Sequence, residues 1–406
     1  MITDPETLKS LMKEGSLLPQ EEMLAINKKK GSLTIGIPKE TSYQENRVAL
    51  IPESVQLLVN NGHQVLVESN AGLKSNFTDK DYSEAGAQIC YNTSEIFKSN
   101  IILKVAPVKQ KEIDMMVGNQ TLISALQLTL QPKETLVALM KKKVTAIAWD
   151  YIRDDHGIYP VVRTMGEIAG NTSVLIAAEL LSNYNDGKGI MMGGIAGVQP
   201  TEIVILGAGT VGEYAARAAL GLGANVKVFD NSLSRLRRLQ NDIGQRIYTS
   251  IIQPKVLEKA VKRADVIIGA LRAPFGRTPC IVTNQMVSKM KPSSVIIDVS
   301  IDQGGCFETS RVTNHLNPTY RAYDVIHYCV PNIASRVSRT ASIALSNIFS
   351  PLLLEIGEVG GSKEMIKKDP GFRGGVYIYK GKLTSEILGK VFNLPYKDIE
   401  LLLAAL

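Results

Sequence analysis

The sequence is poor in the residues that build metal centres and covalent cross-links. Four cysteines, Cys90, Cys280, Cys306 and Cys329, lie far apart without paired spacing, so neither a zinc site nor a disulfide framework is expected. The four histidines, His63, His156, His315 and His327, are equally scattered. No uninterrupted apolar run approaches the roughly 18 residues that span a bilayer, so no membrane segment is expected. The opening stretch, MITDPETLKSLMKEGSLLPQEEMLAINKKKG, mixes acids and bases without an apolar block. It does not read as a secretory signal, and a cytoplasmic location is the default expectation. Dense charge is also lacking: the net +7 is spread along the chain, and the KKK clusters at 28–30 and 141–143 lack interleaved aromatics. No nucleic-acid partner is expected, although a basic surface favours small anions.

What is present is a long chain with an ordinary core content. At 406 residues and 45% hydrophobic, it exceeds a single core and implies two domains. After a polar arm at 1–32, strand and helix signals alternate. LTIGIP (33–38) reads as a strand, and Pro52 opens a helix that Asn61-Gly62 stops. HQVLVES, a helix capped by Thr78, NIILKV, ISALQL, a helix over 132–143 and VTAIAW continue the rhythm. Such alternation implies an α/β fold with a parallel sheet covered by helices. A longer helix then leads through the glycine-rich GKGIMMGGIAGVQP to a second alternating unit from Thr201 to about Asn332. From Val337 an apolar stretch reads as a helix interrupted at Pro351, followed by the strand-like GVYIYKGKLT and a last amphipathic helix. The expected division is an arm (1–32), a substrate domain (33–162 with 340–406) and a cofactor domain (163–339).

The strongest motif is IVILGAGTVGEYAARAALGLGANVKVFD at 203–230. An apolar strand runs into Gly207-Ala-Gly209-Thr210-Val211-Gly212, and a helix follows at once. Gly207 permits the turn, Gly209 lets the backbone approach a pyrophosphate, and Gly212 lets helix and strand pack. The helix N-terminus offers free N–H groups to the phosphates. Asp230, at the end of the next strand, suits a ribose 2′-OH and favours NAD over NADP, while Arg235 nearby weakens that preference. A glycine turn without ligand and an FAD site are the competing readings.

Two later strand ends belong to the same site by topology. VIIGALRAP (266–274) has Gly269 and Ala270 for close approach, and SVIIDVSIDQGG places Asp298 in a buried run and Asp302 at its end. Asp302 reads either as a turn cap or as a carboxylate beside the nicotinamide, able to handle a proton. Arg47 in ENRVALIP and Lys104 in IILKV are basic residues that suit an anionic substrate; each alone also reads as a solvated charge. Gln127, the lone amide in the apolar ISALQL, reads by itself as a group satisfying neighbouring backbone.

IGIPKET, ENRVALIP, ILKV, IMMGGIAGVQP, VILGAGTVG, IIDVSIDQGGCFE and YCVPNI together resemble the alanine dehydrogenase family, which is similar to the NAD-binding subunit of proton-translocating transhydrogenase. The resemblance covers about residues 33–395. It implies two Rossmann-like, doubly wound parallel-sheet domains with a cleft between them. It also implies NAD-dependent oxidative deamination of L-alanine to pyruvate and ammonia by a homo-oligomer, a hexamer or a dimer. By the same resemblance Arg47 holds the substrate carboxylate and Asp302 lies beside nicotinamide and substrate. Asp230 binds the ribose, and Leu271, Arg272, Asn332 and Ile333 fall in segments lining the dinucleotide. Gly166 replaces a serine common near the cofactor.

Two departures stand out. LKVAPV leaves Ala106 where the family has a substrate-binding lysine, and LQLT leaves Gln127 where it has the catalytic histidine. An amide can donate to a keto oxygen yet cannot exchange a proton near neutral pH. Lys104, two residues before Ala106 and on the same side of a strand, is the expected substitute, acting with Asp302; Lys109 or Lys111 could also reach back. The alternatives are a dehydrogenase of another amino acid or an opine- or saccharopine-type substrate, a transhydrogenase-like subunit, and an NAD-binding sensor without turnover.

Overall fold

The computed structural model describes residues 31–42, 44–126, 132–273 and 277–404. Two sheets organise them. The first contains β1 (Thr34–Ile37), β2 (Gln64–Glu68), β3 (Gln88–Cys90), β4 (Ile101–Leu103), β5 (Thr121–Ser124) and β6 (Thr145–Ala148). The second contains β7 (Glu202–Leu206), β8 (Asn225–Phe229), β9 (Tyr248–Ser250), β10 (Val266–Gly269), β11 (Val295–Asp298), β12 (Thr319–Ala322) and β13 (Val325–Tyr328). The chain then returns, and β14 (Val376–Tyr379) and β15 (Lys382–Leu383) add to the first sheet.

The strand orders are β15-β14-β6-β5-β4-β1-β2-β3 and β12-β13-β11-β10-β7-β8-β9. Each contains the doubly wound order 3-2-1-4-5-6, the first over β1–β6 and the second over β7–β11 with β13. Within each of those runs the pairing is parallel, and β12, β14 and β15 join antiparallel. The expected two Rossmann-like sheets are therefore observed. Crevices open where the order reverses, between β1 and β4 and between β7 and β10.

Why these runs are strands is visible in their burial. Ile203, Ile205, Val266, Ile268, Val295 and Ile297 enter one core, while Val204, Leu206, Ile267 and Ile296 enter another on the opposite face. The first sheet alternates in the same way, with Ile35, Ile101 and Ile123 against Ile102 and Leu122. A parallel sheet covered on both faces needs apolar residues at every position, so its strands show continuous apolar runs.

Four helices matter for the site: α1 (Pro52–Asn60), α2 (Pro160–Leu180), α3 (Thr210–Gly221) and α4 (Ser338–Glu358). α2 begins at Pro160, so the expected boundary at 163 falls within a continuous helix. It packs closely on α3 because Gly170 has no side chain: a Cβ there would sit 2.5 Å from the Val211 carbonyl oxygen. α4 continues through Pro351, where an interruption is expected from sequence. A proline inside a helix costs roughly 3 kcal/mol. Leu345, Phe349, Leu353 and Ile356, buried in the first core on both sides of it, offset that cost. Among the described residues the stretch Ile333–Glu358 is long and apolar enough to cross a bilayer, and half of its most apolar window is buried inside the fold. Counting uninterrupted apolar residues misses it because serines break the run, and several of those serines are bonded to the first sheet's loops.

Candidate active site

The turn after β7 is built as the sequence suggests. Gly207 has φ +115°, and a Cβ there would lie 2.5 Å from the carbonyl oxygen of Ala270, which follows β10. The two strand ends thus touch at the point of reversal. A Cβ on Gly212 would collide with the Gly207 carbonyl, whereas one on Gly209 would have nothing within 4 Å. Gly212 is therefore required by the fold, and the space over Gly209 is left for a ligand. No side chain caps α3 at Gly209, so its first-turn N–H groups stay open to an anion. Thr210 and Val211 begin that helix and face Gly166, where an added Cβ would meet both side chains at 3.5 Å. That is ordinary contact, and a serine would fit.

Asp230 is buried, and its Oδ2 accepts from the Ala208 N–H at 2.8 Å while Oδ1 accepts from Ser232 N–H at 2.7 Å. It is thereby held against the glycine turn, with lone pairs remaining for a ribose hydroxyl. The Arg235 guanidinium lies 3.8 Å from Oδ2 and is mostly exposed. Leu271 and Arg272 follow β10 at the same end of the sheet. Ile333 is buried in the second core, so only its backbone is available to a ligand. Gly269 is required by the fold: a Cβ there would meet Cys306 Sγ at 2.6 Å and Asp298 Oδ1 at 2.8 Å. Its smallness accommodates the loop after β11. Asp298 is buried and accepts from Ser300 N–H, Cys306 N–H and the Ser310 hydroxyl. Burial pushes its carboxyl up to about 6 despite those donors.

Arg47, the residue expected to hold a substrate carboxylate, lies in the loop after β1. Arg47 is 6% exposed, and Glu45 takes its Nε at 2.7 Å and its Nη2 at 2.6 Å, while Nη1 lies 3.3 Å from Met165 Sδ. Burial works to raise the Glu45 carboxyl, but Arg47 outweighs it and holds it below its ordinary range. Glu45 Oε2 also accepts from Asn332 Nδ2 at 2.8 Å, and the Asn332 backbone N–H donates to Asp302 Oδ1 at 3.2 Å. Arg47, Glu45, Asn332 and Asp302 therefore form a continuous chain from the first sheet to the second. Asn332 has φ +57°, a left-handed conformation that asparagine tolerates and that turns both its donors to this task.

Asp302 follows β11 in a short 3-10 turn. Its surface is open to solvent although protein crowds around it, as expected for a residue on a cleft wall. That crowding raises its carboxyl above the ordinary range, with the Asn332 N–H, Arg47 and Arg272 pulling the other way. Burial raises the phenol of Tyr151, which follows β6, with the Arg272 charge pulling the other way.

Lys104, expected to substitute for the family lysine, is buried between two carboxylates. β4 ends at Leu103, so the same-side argument linking Lys104 to Ala106 does not extend that far. Its ammonium is 3.1 Å from Glu40 and 3.0 Å from Glu112 and is closed off from solvent. Burial would lower its pKa, but the two carboxylates win and raise it, fixing the cation. Glu40 in turn accepts from the Val105 and Ala106 N–H groups and so braces the loop carrying Ala106. Lys109 is likewise engaged, donating from Nζ to the Thr41 carbonyl at 2.6 Å. Gln127 lies outside the described residues; its neighbour Leu126 donates its N–H to Asp150 Oδ1 at 3.1 Å. Glu45, Met165 and the bridging side chain of Asn332 were not singled out from sequence. Glu45 stands two residues before Arg47, the same-side spacing of an extended segment, which is the signal available for it.

Comparison with known proteins decides the family. Residues 36–169 match the family model "Alanine dehydrogenase/PNT, N-terminal domain" and residues 173–386 match "Alanine dehydrogenase/PNT, C-terminal domain". The chain belongs to the alanine dehydrogenase/PNT family. It is 39% identical over 373 residues to an alanine dehydrogenase of Mycolicibacterium smegmatis, covering 92% of this chain and 100% of that one. It is 40% identical to an alanine dehydrogenase of Methanococcus maripaludis, covering 91% and 99%. A solved L-alanine dehydrogenase superposes with a TM-score of 0.84 at 36% identity, covering 89% of this chain and 99% of that one. Membership in the alanine dehydrogenase/PNT family makes the chain an oxidoreductase, and the cofactor expected from the glycine turn, NAD, accords with it. Gly209, the uncapped N-terminus of α3 and Asp230 together fit that group.

Proposed function

We propose that the protein catalyses NAD-dependent oxidative deamination of L-alanine to pyruvate and ammonia, in the cleft between a substrate unit (33–162 with 340–406) and a cofactor unit (163–339). The observation that supports this reading is the hydrogen-bonded chain from Arg47 through Glu45 and Asn332 to Asp302, which links a buried cation to a titratable carboxyl.

NAD, when bound, takes up the hydride released from the substrate Cα. Arg47 binds the substrate carboxylate through the guanidinium edge not occupied by Glu45. Glu45 neutralises part of the buried charge and fixes the direction of that edge. As the hydride leaves, the amino group loses a proton and a C=N bond forms. Water then adds to the imine carbon, the C–N bond breaks, and ammonia departs. Asp302 accepts and returns protons in these steps. Its raised pKa brings it nearer to neutrality, where such a group works best. Lys104 braces the loop at Ala106 and takes no part in proton transfer. Gln127, by its position in the sequence, donates an amide N–H to the developing keto oxygen.

Ala106, smaller than the family lysine, favours a second reading in which a larger amino acid is the substrate. A screen of amino acids with NAD, following NADH absorbance, separates the two. L-alanine giving the highest kcat/KM supports the first reading, and a bulkier amino acid giving it supports the second. The protein acting as a homo-oligomer in the cytoplasm belongs to the same proposal.

A further inference from the structure

The segment from Asn46 to Ile51 carries Arg47 yet belongs to no helix or strand. Its residues from Arg47 to Ile51 are buried, so their backbone N–H groups need partners. Side-chain hydroxyls from one helical stretch supply two of them and a third at the neighbouring Asn46. Asn46 N–H donates to Ser335 Oγ at 2.9 Å, Val48 N–H to Ser342 Oγ at 3.0 Å, and Ile51 N–H to Ser346 Oγ at 3.0 Å. Ser335 Oγ also donates to the Gln44 carbonyl at 2.7 Å, and Ser75 Oγ joins the Asn46 carbonyl to Ser342. All three serines are buried. Ser342 and Ser346 are four residues apart on α4, hence on one face.

α4 begins directly after the 3-10 turn Ile333–Val337 that follows Asn332. One continuous stretch therefore holds the Arg47 segment through hydroxyls and presents Asn332 to Asp302. We propose that Ser335, Ser342 and Ser346 are positioning residues that set the guanidinium of Arg47 at its working distance from Asp302. This deepens the reading of Arg47 as the carboxylate ligand and rests on it. Ser350 supplies an internal control: it lies one turn further along the same buried face, but its hydroxyl donates to the Ser346 carbonyl of its own helix at 2.6 Å.

The test compares S342A with S350A in the full chain. Removing the acceptor of Val48 N–H leaves a buried donor unpaired. S342A is expected to raise KM for L-alanine and Kd for pyruvate about tenfold, with NAD affinity unchanged and kcat within about twofold. S350A is expected to change none of these. Hydrogen exchange over 46–51 should accelerate in S342A and not in S350A. Equal KM shifts in the two variants, or a lower Tm in S342A with KM and exchange unmoved, overturns the proposal. If the wild type turns over no L-alanine, the alanine reading fails on its own. The serines are then judged by pyruvate affinity and exchange: faster exchange confined to S342A keeps the ladder, with unchanged exchange removing it.

Discussion

Asn332 donates from Nδ2 to Glu45 Oε2 at 2.8 Å, joining the loop after β13 to the loop after β1. Through that bond Arg47 and Asp302, the residues proposed to meet the substrate carboxylate and the reacting carbon, sit in one network although they are 255 residues apart.

Replacing Arg47 by lysine tests the carboxylate ligand. Lysine cannot reproduce the two bonds that Nε and Nη2 make to Glu45, and it offers no second fork to a substrate. R47K is expected to raise KM for L-alanine on the order of 100-fold, roughly 2.7 kcal/mol. Steady-state kinetics in both directions check it; a KM within threefold of wild type contradicts the assignment.

Asp302 to asparagine removes the titratable group while keeping an oxygen for the Asn332 N–H. The expected loss in kcat is about 10²–10⁴-fold, the usual value of a positioned proton carrier, with NAD affinity retained. Because the protein crowded around it raises the Asp302 carboxyl, the acid limb of kcat/KM in the wild type should lie above the ordinary carboxylate range and vanish in D302N.

Gly209 to alanine separates fold from ligand. Open space surrounds a Cβ there, so Tm should hold, while NAD affinity should fall about 100-fold as the methyl meets the pyrophosphate. Isothermal titration with NAD alongside thermal unfolding reads both. Retained affinity contradicts the placement of the cofactor.

The regular parts of this chain were legible for a physical reason. Both sheets are covered on two faces, so their central strands are mostly apolar and the runs stand out. The glycine turn was legible because Gly207 and Gly212 each relieve a definite collision. The surroundings of Lys104 were not legible, because the strand argument linking it to Ala106 stops at Leu103 and its two partners, Glu40 and Glu112, come from separate segments. The Pro351 interruption was misread because local propensity is outweighed by four large side chains packed around it. The links through Glu45, Asn332 and the α4 serines are contacts across up to about 290 positions, for which sequence spacing carries no signal.

His327 gives a prediction about stability. It is buried between the Thr309 hydroxyl and the Val325 carbonyl, and burial depresses its pKa from 6.5 to about 4. The folded state therefore favours the neutral ring. That contribution is present above pH 6.5 and is lost as pH falls through about 4. Its size is at most about 3 kcal/mol. Asp298, whose pKa is raised, acts in the opposite sense over part of this range, so the informative quantity is the difference between wild type and H327Q. Urea unfolding from pH 7 to 4 should show wild type losing stability relative to H327Q; parallel curves contradict this.

The most direct measurement of the central claim uses L-alanine deuterated at Cα, incubated with NAD and the intact protein. The account predicts that pyruvate and ammonia appear together and that the deuterium is found at C4 of the nicotinamide in the NADH formed. If NAD binds but no deuterium reaches C4, the cleft between Arg47 and Asp302 is not the site of alanine oxidation.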